Sequence, residues 1–328
     1  MFSYPVAWTR RTWLTLLLMP LSWLFRALVA LRRALYRAGV LRSERLPVPV
    51  IVVGNISVGG TGKTPLVLWL AAKLRDNGYQ PGIISRGYGG SNPSPRAVQP
   101  DSDTTQCGDE PVLLARRSHC PVWICRDRVA TARALLATNP DCNVIISDDG
   151  LQHYRLARDA EIAVIDGARG LGNGLLLPAG PLREPPSRLI EVDAVVVRGM
   201  ATLVTPTQFP MTLEPAGLRN VNYTSRQVDA SHFKGLRVHA VAGIGNPQQF
   251  FDTLTQMGIA HTPHAFADHH AFTAADLIFS GCDAIVMTEK DAVKCEAFAA
   301  NTHWALQVDA QIDDALLQHL LERINRTH

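Results

Sequence analysis

The stretch from Val48 to Pro65 limits what this chain can fold into more than any other feature of the sequence. Its first half is a β-branched apolar run, which is typical of a buried strand. Its second half is a glycine-rich turn that ends in Lys63-Thr64, and a helix is predicted over Leu66 to Arg75. Strand, glycine turn, Lys-Thr and helix in this order predict a phosphate-binding loop, in which backbone N–H groups converge on an anion at a helix N-terminus.

In such a loop the lysine reaches the outer phosphates of a nucleotide and the following hydroxyl is a ligand of Mg²⁺. The spacing departs from the usual one, because Ser57 stands six residues before the lysine, where glycine is normally found. An ordinary glycine-rich turn is the competing interpretation. The loop residues predicted to bind nucleotide are Gly59, Gly60, Thr61, Gly62, Lys63 and Thr64, with Thr64 also a predicted metal ligand.

Short apolar runs alternate with helical stretches along the rest of the 328 residues. This alternation predicts an α/β fold with a parallel sheet covered by helices. Strands are predicted at residues 82–84, 121–125, 143–147, 162–165, 194–197, 236–241, 283–288 and 304–308, and helices at 112–117, 248–257 and 313–324. The six cysteines form no CxxC pair, which favours a reducing compartment over a zinc or disulfide framework.

The predicted organisation is a phosphate-loop core, a short β linker and a second, smaller α/β domain, preceded by a membrane-associated helix. The predicted divisions are 1–45 for the N-terminal segment, 46–205 for the core, 206–232 for the linker and 233–328 for the C-terminal domain. The linker is assigned because that stretch is polar with alternating apolar residues. The loop Gly243 to Pro247 is too short for a dinucleotide fingerprint, but it can let backbone approach a nucleotide base.

The N-terminal segment is basic and apolar at once. At a helical period, a leucine face and an arginine face separate, which is typical of a helix lying in a membrane interface. The uncharged run from Trp13 to Phe25 is short for a span, and Pro20 interrupts it. Packing of the leucines on the protein's own core and a true span are the alternatives. The faces comprise Leu21, Leu24, Leu28, Leu31 and Leu35 on one side and Arg26, Arg33 and Arg37 on the other.

Two acidic motifs and one Arg-Glu pair each fit either a role in binding or catalysis or a purely structural role. Asp148 and Asp149 follow an apolar strand, where carboxylates suit a Mg²⁺ site beside a phosphate loop, although Asp-Gly is also a common turn. Asp109 precedes a predicted helix, and the spacing fits both a helix cap and a base that orients a hydroxyl nucleophile. Arg183 and Glu184 fit either phosphate and metal binding or a solvated ion pair.

The segment Asp268-His269-His270 is dense in titratable groups. Adjacent histidines point in different directions on a regular element, so a metal shared by both is disfavoured. A histidine beside an aspartate can relay a proton, and a plain loop histidine is the alternative.

Five motifs in order give the chain a family resemblance. With the basic apolar N-terminus, it resembles the tetraacyldisaccharide 4′-kinases of lipid A biosynthesis over nearly its whole length. The motifs are Gly59-Gly60-Thr61-Gly62-Lys63-Thr64-Pro65, Ser85-Arg86-Gly87-Tyr88-Gly89, Gly108-Asp109-Glu110-Pro111, Asp148-Asp149-Gly150-Leu151-Gln152-His153 and Thr288-Glu289-Lys290-Asp291.

The resemblance implies transfer of the ATP γ-phosphate to the 4′-hydroxyl of a tetraacylated disaccharide 1-phosphate, giving lipid IVA. It implies attachment to the cytoplasmic face of a bacterial inner membrane and a nucleotide cleft between two domains. It also implies that Asp109 is the catalytic base, paired with His269. Under the same resemblance, the residues that help to hold Mg-ATP are Asp148, Asp149, Gln152, His153, Arg183 and Glu184, with the two aspartates and Glu184 taken as metal ligands.

Two other functional classes compete with a lipid kinase. A P-loop ATPase switch acting on a membrane protein would use the same loop and the same helix, but it would not need a lipid hydroxyl to consume ATP. A nucleic-acid binder would use the N-terminal arginines, but a phosphate footprint does not need the continuous leucine face that accompanies them. The roles of Arg86, Tyr88 and Arg126 stay open at this level.

Overall fold

The fold is taken from a computed structural model, which describes residues 6–87, 93–199, 205 and 207–327, without the side chains of residues 6, 7 and 327. Two motif residues, Tyr88 and Gly89, and the predicted start of the linker at residue 206 lie outside this range. The helices are α1 Val6–Thr9, α2 Trp13–Arg37, α3 Lys63–Asp76, α4 Thr104–Cys107, α5 Asp109–Ser118, α6 Arg128–Thr138, α7 Pro247–Gln256, α8 Glu289–Cys295 and α9 Ala315–Thr327. The strands are β1 Val50–Gly54, β2 Pro81–Ser85, β3 Arg96–Val98, β4 Val122–Ile124, β5 Val144–Asp148, β6 Ala160–Asp166, β7 Ala194–Arg198, β8 Gln208–Asn220, β9 Gln227–Val228, β10 Val238–Ala242, β11 His261–Ala265, β12 Ala284–Thr288 and β13 His303–Ile312.

One mixed sheet of thirteen strands runs through the described part of the chain, in the order β11-β10-β12-β13-β8-β7-β6-β1-β5-β2-β4-β3, with β9 paired to β8. The strand β1 lies between β5 and β6 and is parallel to both. In this register Val53 pairs with Asp148 on one side and with Ile162 on the other. The phosphate loop and the Asp148-Asp149 turn therefore leave the sheet at the same edge, as expected for parallel strands.

The stretch predicted as a linker contains the longest strand. The 13-residue β8 is parallel to β7 and antiparallel to β13, so it joins the two parallel parts of the sheet into one. A polar, alternating sequence suits such a strand, because three of its side chains are buried and the others are partly or fully exposed. The sheet is continuous through Gln208–Asn220, and the domain boundaries proposed from the sequence stay predictions.

Helices cover both faces of the sheet, which confirms the predicted α/β class. On one face α3, α5 and α9 bury Leu70, Leu114 and Leu320 against the strands. On the other face α6 buries Leu135 beside Leu151. Two further clusters lie around β10, β12 and β13, and they pack α7 and α8 in the same way.

Each predicted strand overlaps an observed one, but several other features differ from the sequence predictions. The helix α3 begins at Lys63, three residues before the predicted start, because it continues directly from the left-handed Gly62. The helix α6 and the short strands β3 and β11 were not predicted. The sequence did hold a signal for α6, because Asp127 accepts hydrogen bonds from the N–H groups of Val129 and Ala130 as a helix N-cap.

The N-terminal helix α2 presents its leucines to the outside. Leu21, Leu24, Leu28 and Leu31 are 55–58% exposed, whereas Thr15 and Ser22 are buried against the protein. The Ser22 hydroxyl donates a 2.8 Å hydrogen bond to the main-chain oxygen of Leu176. The polar stripe of α2 is therefore the side that docks on the body of the protein.

This docking corrects the predicted arginine face. The Arg33 side chain is 11% exposed and forms an ion pair with Glu191, and Arg37 pairs with the same carboxylate at 2.9 Å. Arg33 faces the protein instead of anionic headgroups. Arg26 is exposed and keeps the position that the sequence predicts.

Candidate active site

The phosphate loop has the backbone geometry that anion binding requires. Gly59 and Gly62 have φ values of 96° and 94°, which side chains other than glycine rarely adopt. Gly62 is the N-cap of the 14-residue α3 and provides no side-chain cap, so the N–H groups of the first turn are directed into the loop. Asn55, which was not predicted, supports the loop by donating 3.4 Å hydrogen bonds to the Gly59 main-chain oxygen and the Thr61 hydroxyl.

Lys63 and Arg183 both face Asp149. The Lys63 Nζ atom lies 3.4 Å from Oδ1 of Asp149, and the Arg183 Nη1 atom lies 3.2 Å from Oδ2. Burial raises the pKa of Asp149, but the two cations outweigh burial and hold it at about 2. Three predicted residues thus meet at one point, where an ionised carboxylate already lies beside the loop. Thr64 follows in the first turn of α3 and is half-buried.

Asp148 lies deeper than its neighbour. Its Oδ2 atom accepts a 2.9 Å hydrogen bond from the Ser85 hydroxyl, and its main-chain oxygen accepts one from Arg128 at 2.9 Å. Burial raises the pKa of Asp148, and the charge of Glu110 raises it further. Ser85 lies within a motif noted in the sequence, whereas nothing in the pattern predicted that Arg128 is buried and Arg126 exposed.

The geometry gives Glu184 other partners than a metal. Its side chain is 1% exposed, and its two carboxylate oxygens accept hydrogen bonds from Gln152 at 2.6 Å and Tyr154 at 2.5 Å. The Arg188 Nε atom lies 3.3 Å from the same carboxylate. Gln152 also donates to the Asn55 main-chain oxygen at 3.1 Å. The contacts of Glu184 and Gln152 are thus those of a buried network under the phosphate loop.

His153 is half-buried at the end of the same turn. Burial lowers the pKa of His153 to about 4, and the charges of Arg128 and Arg86 act in the same direction. The ring is therefore neutral near pH 7. A neutral imidazole at this position can donate one hydrogen bond and accept another, but it contributes no charge to phosphate binding.

The predicted pair of Asp109 and His269 is brought together. The His269 Nδ1 atom lies 3.2 Å from Oδ2 of Asp109, which is 7% exposed. Asp109 is the first residue of α5, and its Oδ1 atom accepts a 2.9 Å hydrogen bond from the Glu110 N–H group. Burial raises the pKa of Asp109, but the hydrogen bond to His269 and the charge of Lys290 outweigh it and hold the pKa at about 2.

The pair lies next to the phosphate loop. A Cβ atom added at Gly245 would be 3.6 Å from the Gly60 nitrogen and 3.4 Å from Oδ2 of Asp268, the residue before His269. Glu110, the residue after Asp109, is close enough to Asp148 to change its pKa. The loop after β10 therefore approaches the phosphate loop by backbone, as its glycines allow.

Charged side chains fix α5, which carries Asp109, to the C-terminal part of the chain. Arg116 donates two 2.6 Å hydrogen bonds to the two carboxylate oxygens of Glu296. Arg117 binds both oxygens of Glu289 at 2.6–2.7 Å and Asp309 at 2.5 Å. Paired guanidinium–carboxylate contacts of this kind have a defined geometry, so they join α5 firmly to the C-terminal part of the chain.

The donor set fits a nucleotide with Mg²⁺. The loop offers N–H groups and Lys63 for phosphates, and Asp148 and Asp149 offer the carboxylate oxygens that Mg²⁺ prefers. The contact of Lys63 with Asp149 supports this fit, because a cation already balances the carboxylate that would face the metal. In the described residues no cluster of three or more His, Cys, Asp or Glu side chains is arranged to hold a metal ion.

Comparisons with known proteins point to one family. Residues 14–325 match the family model of tetraacyldisaccharide-1-P 4′-kinase. The tetraacyldisaccharide 4′-kinases of Azoarcus sp. and Methylobacillus flagellatus are 54% and 52% identical to the chain. These alignments cover 98% and 97% of this chain and 95% and 96% of the relatives.

A solved structure matches at the level of the fold. The crystal structure of the Aquifex aeolicus protein of this family in complex with ATP superposes with a TM-score of 0.81 and is 32% identical. The match covers 95% of this chain and 99% of the other. The likeness therefore extends through both parts of the sheet and is not limited to the phosphate loop.

Proposed function

Because this chain belongs to the tetraacyldisaccharide 4′-kinase family, we propose that Asp109 and His269 act as its base and the partner of that base. The chain is an ATP-dependent kinase of lipid A biosynthesis that phosphorylates the 4′-hydroxyl of a tetraacyldisaccharide 1-phosphate. ATP is the phosphate donor and Mg²⁺ the accompanying metal. The observation that carries the proposal is the 3.2 Å contact between Asp109 and His269 beside the phosphate loop.

Phosphoryl transfer needs charge neutralisation and in-line placement more than covalent chemistry. Lys63 and the N–H groups of the first turn of α3 are placed to hold the outer phosphates. Arg183, which forms an ion pair with Asp149, is proposed to balance the charge that develops on the transferred group. When it is bound, Mg²⁺ supplies further charge neutralisation, and Asp148, Asp149 and Thr64 are the residues proposed to hold it.

The acceptor hydroxyl needs a group that takes its proton. Asp109 is ionised at neutral pH, and His269 holds its carboxylate in one orientation through Oδ2. A carboxylate with a pKa near 2 is a weak base, so its main role is to orient the hydroxyl and to accept the proton late in the transfer. The same behaviour is known in kinases generally, where a catalytic aspartate accepts the substrate hydroxyl proton.

We further propose that α2 attaches the enzyme to the cytoplasmic surface of the inner membrane. In the described residues α2 is long and apolar enough to cross a membrane, but it also docks on the protein through Ser22 and Arg33. A helix with one side bound to its own protein and leucines on the other fits a position in the interface better than a span. The acyl chains of the substrate then remain in the bilayer while its sugar reaches the cleft.

The test uses labelled ATP and purified tetraacyldisaccharide 1-phosphate in mixed micelles, with thin-layer separation of the product. We expect acceptor-dependent loss of the γ-phosphate, with Asp109→Asn and His269→Ala both slow and both still able to bind ATP. ATP consumption without an acceptor hydroxyl would instead favour a P-loop ATPase switch. Wild-type kcat in both variants would rule out the proposed pair.

A further inference from the structure

Three of the four residues in the Thr288-Glu289-Lys290-Asp291 motif form structural contacts. Thr288 caps α8, and its hydroxyl donates a 2.7 Å hydrogen bond to Asp291. Asp291 in turn accepts a 2.8 Å hydrogen bond from the Gly243 N–H group. Glu289 holds Arg117 of α5. Three of the four residues thus fix the start of α8 and the fourth, Lys290, points elsewhere.

The Lys290 ammonium lies among the groups of the proposed base. Its Nζ atom is 3.4 Å from Nε2 of His269, 3.9 Å from Oδ2 of Asp109 and 3.1 Å from Oε1 of Glu110. Oδ1 of Asp268 lies 3.6 Å away. The side chain is 18% exposed, so these contacts are largely shielded from water.

The contact with His269 decides which ring nitrogen carries the proton. An ammonium group has donors only, so Nε2 of His269 must be the acceptor. In the neutral ring the hydrogen then lies on Nδ1, where it is directed at Oδ2 of Asp109. If the ring took a second proton, Nε2–H would face the ammonium as donor against donor.

We propose that Lys290 is a positioning residue of the kinase, which holds His269 as the neutral Nδ1–H tautomer and so keeps Asp109 ionised and oriented toward the acceptor hydroxyl. The proposal rests on the proposed roles of Asp109 and His269. It goes beyond them, because it assigns to a third residue the protonation state in which the pair works.

The charges around the pair support this role. The hydrogen bond to Asp109 raises the pKa of His269 above its ordinary value, and burial and the charge of Lys290 limit that rise. Lys290 also lowers the pKa of Asp109. Among the described residues, other charged groups that face the pair include Glu110 on α5, Asp268 beside the ring and, at longer range, Lys294 on α8. Removing Lys290 should therefore raise the pKa of both members of the pair.

The first test is the pH dependence of kcat/KM in wild type and Lys290→Met. The acid limb should move up by about one pH unit, so kcat/KM should fall about tenfold at pH values on the acid side of both limbs. In Lys290→Arg, which keeps the charge, the acid limb should lie close to its wild-type pH. The KM for ATP should not change, because the proposal gives Lys290 no contact with phosphate. A limb that stays in place, or a raised KM for ATP as the main effect, would overturn it.

Arg116→Met is the matched control. It removes a cation that joins α5 to Glu296, the residue after α8, without touching the pair, so it should lower the melting temperature but leave the acid limb where it is. A shift in Arg116→Met equal to that in Lys290→Met would show that interface loosening moves the limb, and the proposal would fail. Melting curves establish that each variant is folded.

The second test is direct. The ¹⁵N shifts of the His269 ring, assigned by difference against His269→Ala, should report an Nδ1–H tautomer in wild type and a protonated or mixed ring in Lys290→Met at the same pH. An Nε2–H tautomer in wild type would refute the proposal even with Asp109 essential. If instead Asp109→Asn and His269→Ala keep wild-type kcat, the proposed pair is wrong and the role of Lys290 falls with it.

Discussion

The carboxylate of Asp109 and the ring of His269 are 160 residues apart in the sequence and 3.2 Å apart in the structure. Asp109 opens α5 in the N-terminal part of the sheet, and His269 lies in the loop after β11 in the C-terminal part. His269 has a φ of 58°, which is uncommon for a residue with a side chain. A strained backbone at this point is consistent with a ring whose position is set by function.

The first prediction concerns the coupling of this pair. Asp109→Asn should lower kcat while ATP still binds, because the amide keeps the shape but cannot take a proton. His269→Ala should act on the same step, and the double variant should be little worse than the slower single variant. Single-turnover rates and ATP titrations on all three proteins measure this. Fully multiplicative losses in the double variant would show that the two residues act independently.

The second prediction concerns the phosphate loop. Lys63→Ala should lower kcat by ~100-fold or more, because the lysine contact is strongest in the transition state. The change also removes one of the two cations that contact Asp149, so the apparent Mg²⁺ affinity should change as well. Thr64→Ala should act mainly on the Mg²⁺ dependence. Steady-state kinetics at several Mg²⁺ concentrations separate the two, and an unchanged kcat in folded Lys63→Ala would contradict the nucleotide assignment.

The third prediction distinguishes a metal ligand from a structural carboxylate at Glu184. Glu184→Ala removes the acceptor of the Tyr154 hydroxyl, whereas Arg188 keeps its contact with Glu161, so the change should destabilise the fold by about 1–3 kcal/mol. Glu184→Gln keeps most of the shape and should retain the Mg²⁺ dependence of wild type. Thermal unfolding together with a Mg²⁺ titration checks both. A Mg²⁺ requirement that rises tenfold in stable Glu184→Gln would restore the metal role predicted from the resemblance.

The fourth prediction concerns stability and pH. The pKa of His153 is about 4 in the folded protein, below its ordinary value of 6.5, so the unfolded chain binds the proton more readily. The contribution of His153 to stability is therefore complete above pH 6.5 and is lost as the pH falls toward 4. The melting temperature of His153→Asn should fall less between pH 7 and pH 5 than that of wild type does. If the melting temperatures of the two proteins changed in parallel with pH, the ring would not be buried as a neutral group.

The fifth prediction concerns the exposed face of α2. Leu24→Gln, Leu28→Gln and Leu31→Gln together should release the protein from anionic vesicles, since each half-exposed leucine contributes about 1 kcal/mol on entering the interface. ATP affinity should stay the same. Arg33→Gln is the control, because it loosens the docking on Glu191 but leaves the leucines in place. Vesicle co-sedimentation of the triple variant at the wild-type level would remove the membrane assignment.

The docking of α2 also changes which arginines belong in such a test. The sequence pattern placed Arg33 and Arg37 on the face toward anionic lipid, but both pair with Glu191. A charge reversal at Arg33 would therefore act on stability as well as on membrane binding. Helical periodicity assigns side chains to faces, but it does not say which face meets the protein and which meets the surroundings.

The sequence by itself determined the phosphate loop, the order of most strands and helices, and the family. These depend on local patterns: β-branched runs, glycines before Lys63-Thr64 and helical periods that act over a few residues. Only the tertiary structure decided that residues 208–220 join two parallel sheets into one, that Glu184 is enclosed by Gln152 and Tyr154, and that Lys290 reaches His269. Each of these depends on contacts between segments far apart in the chain, where burial and the partner of a charge are set by packing and not by neighbours in sequence.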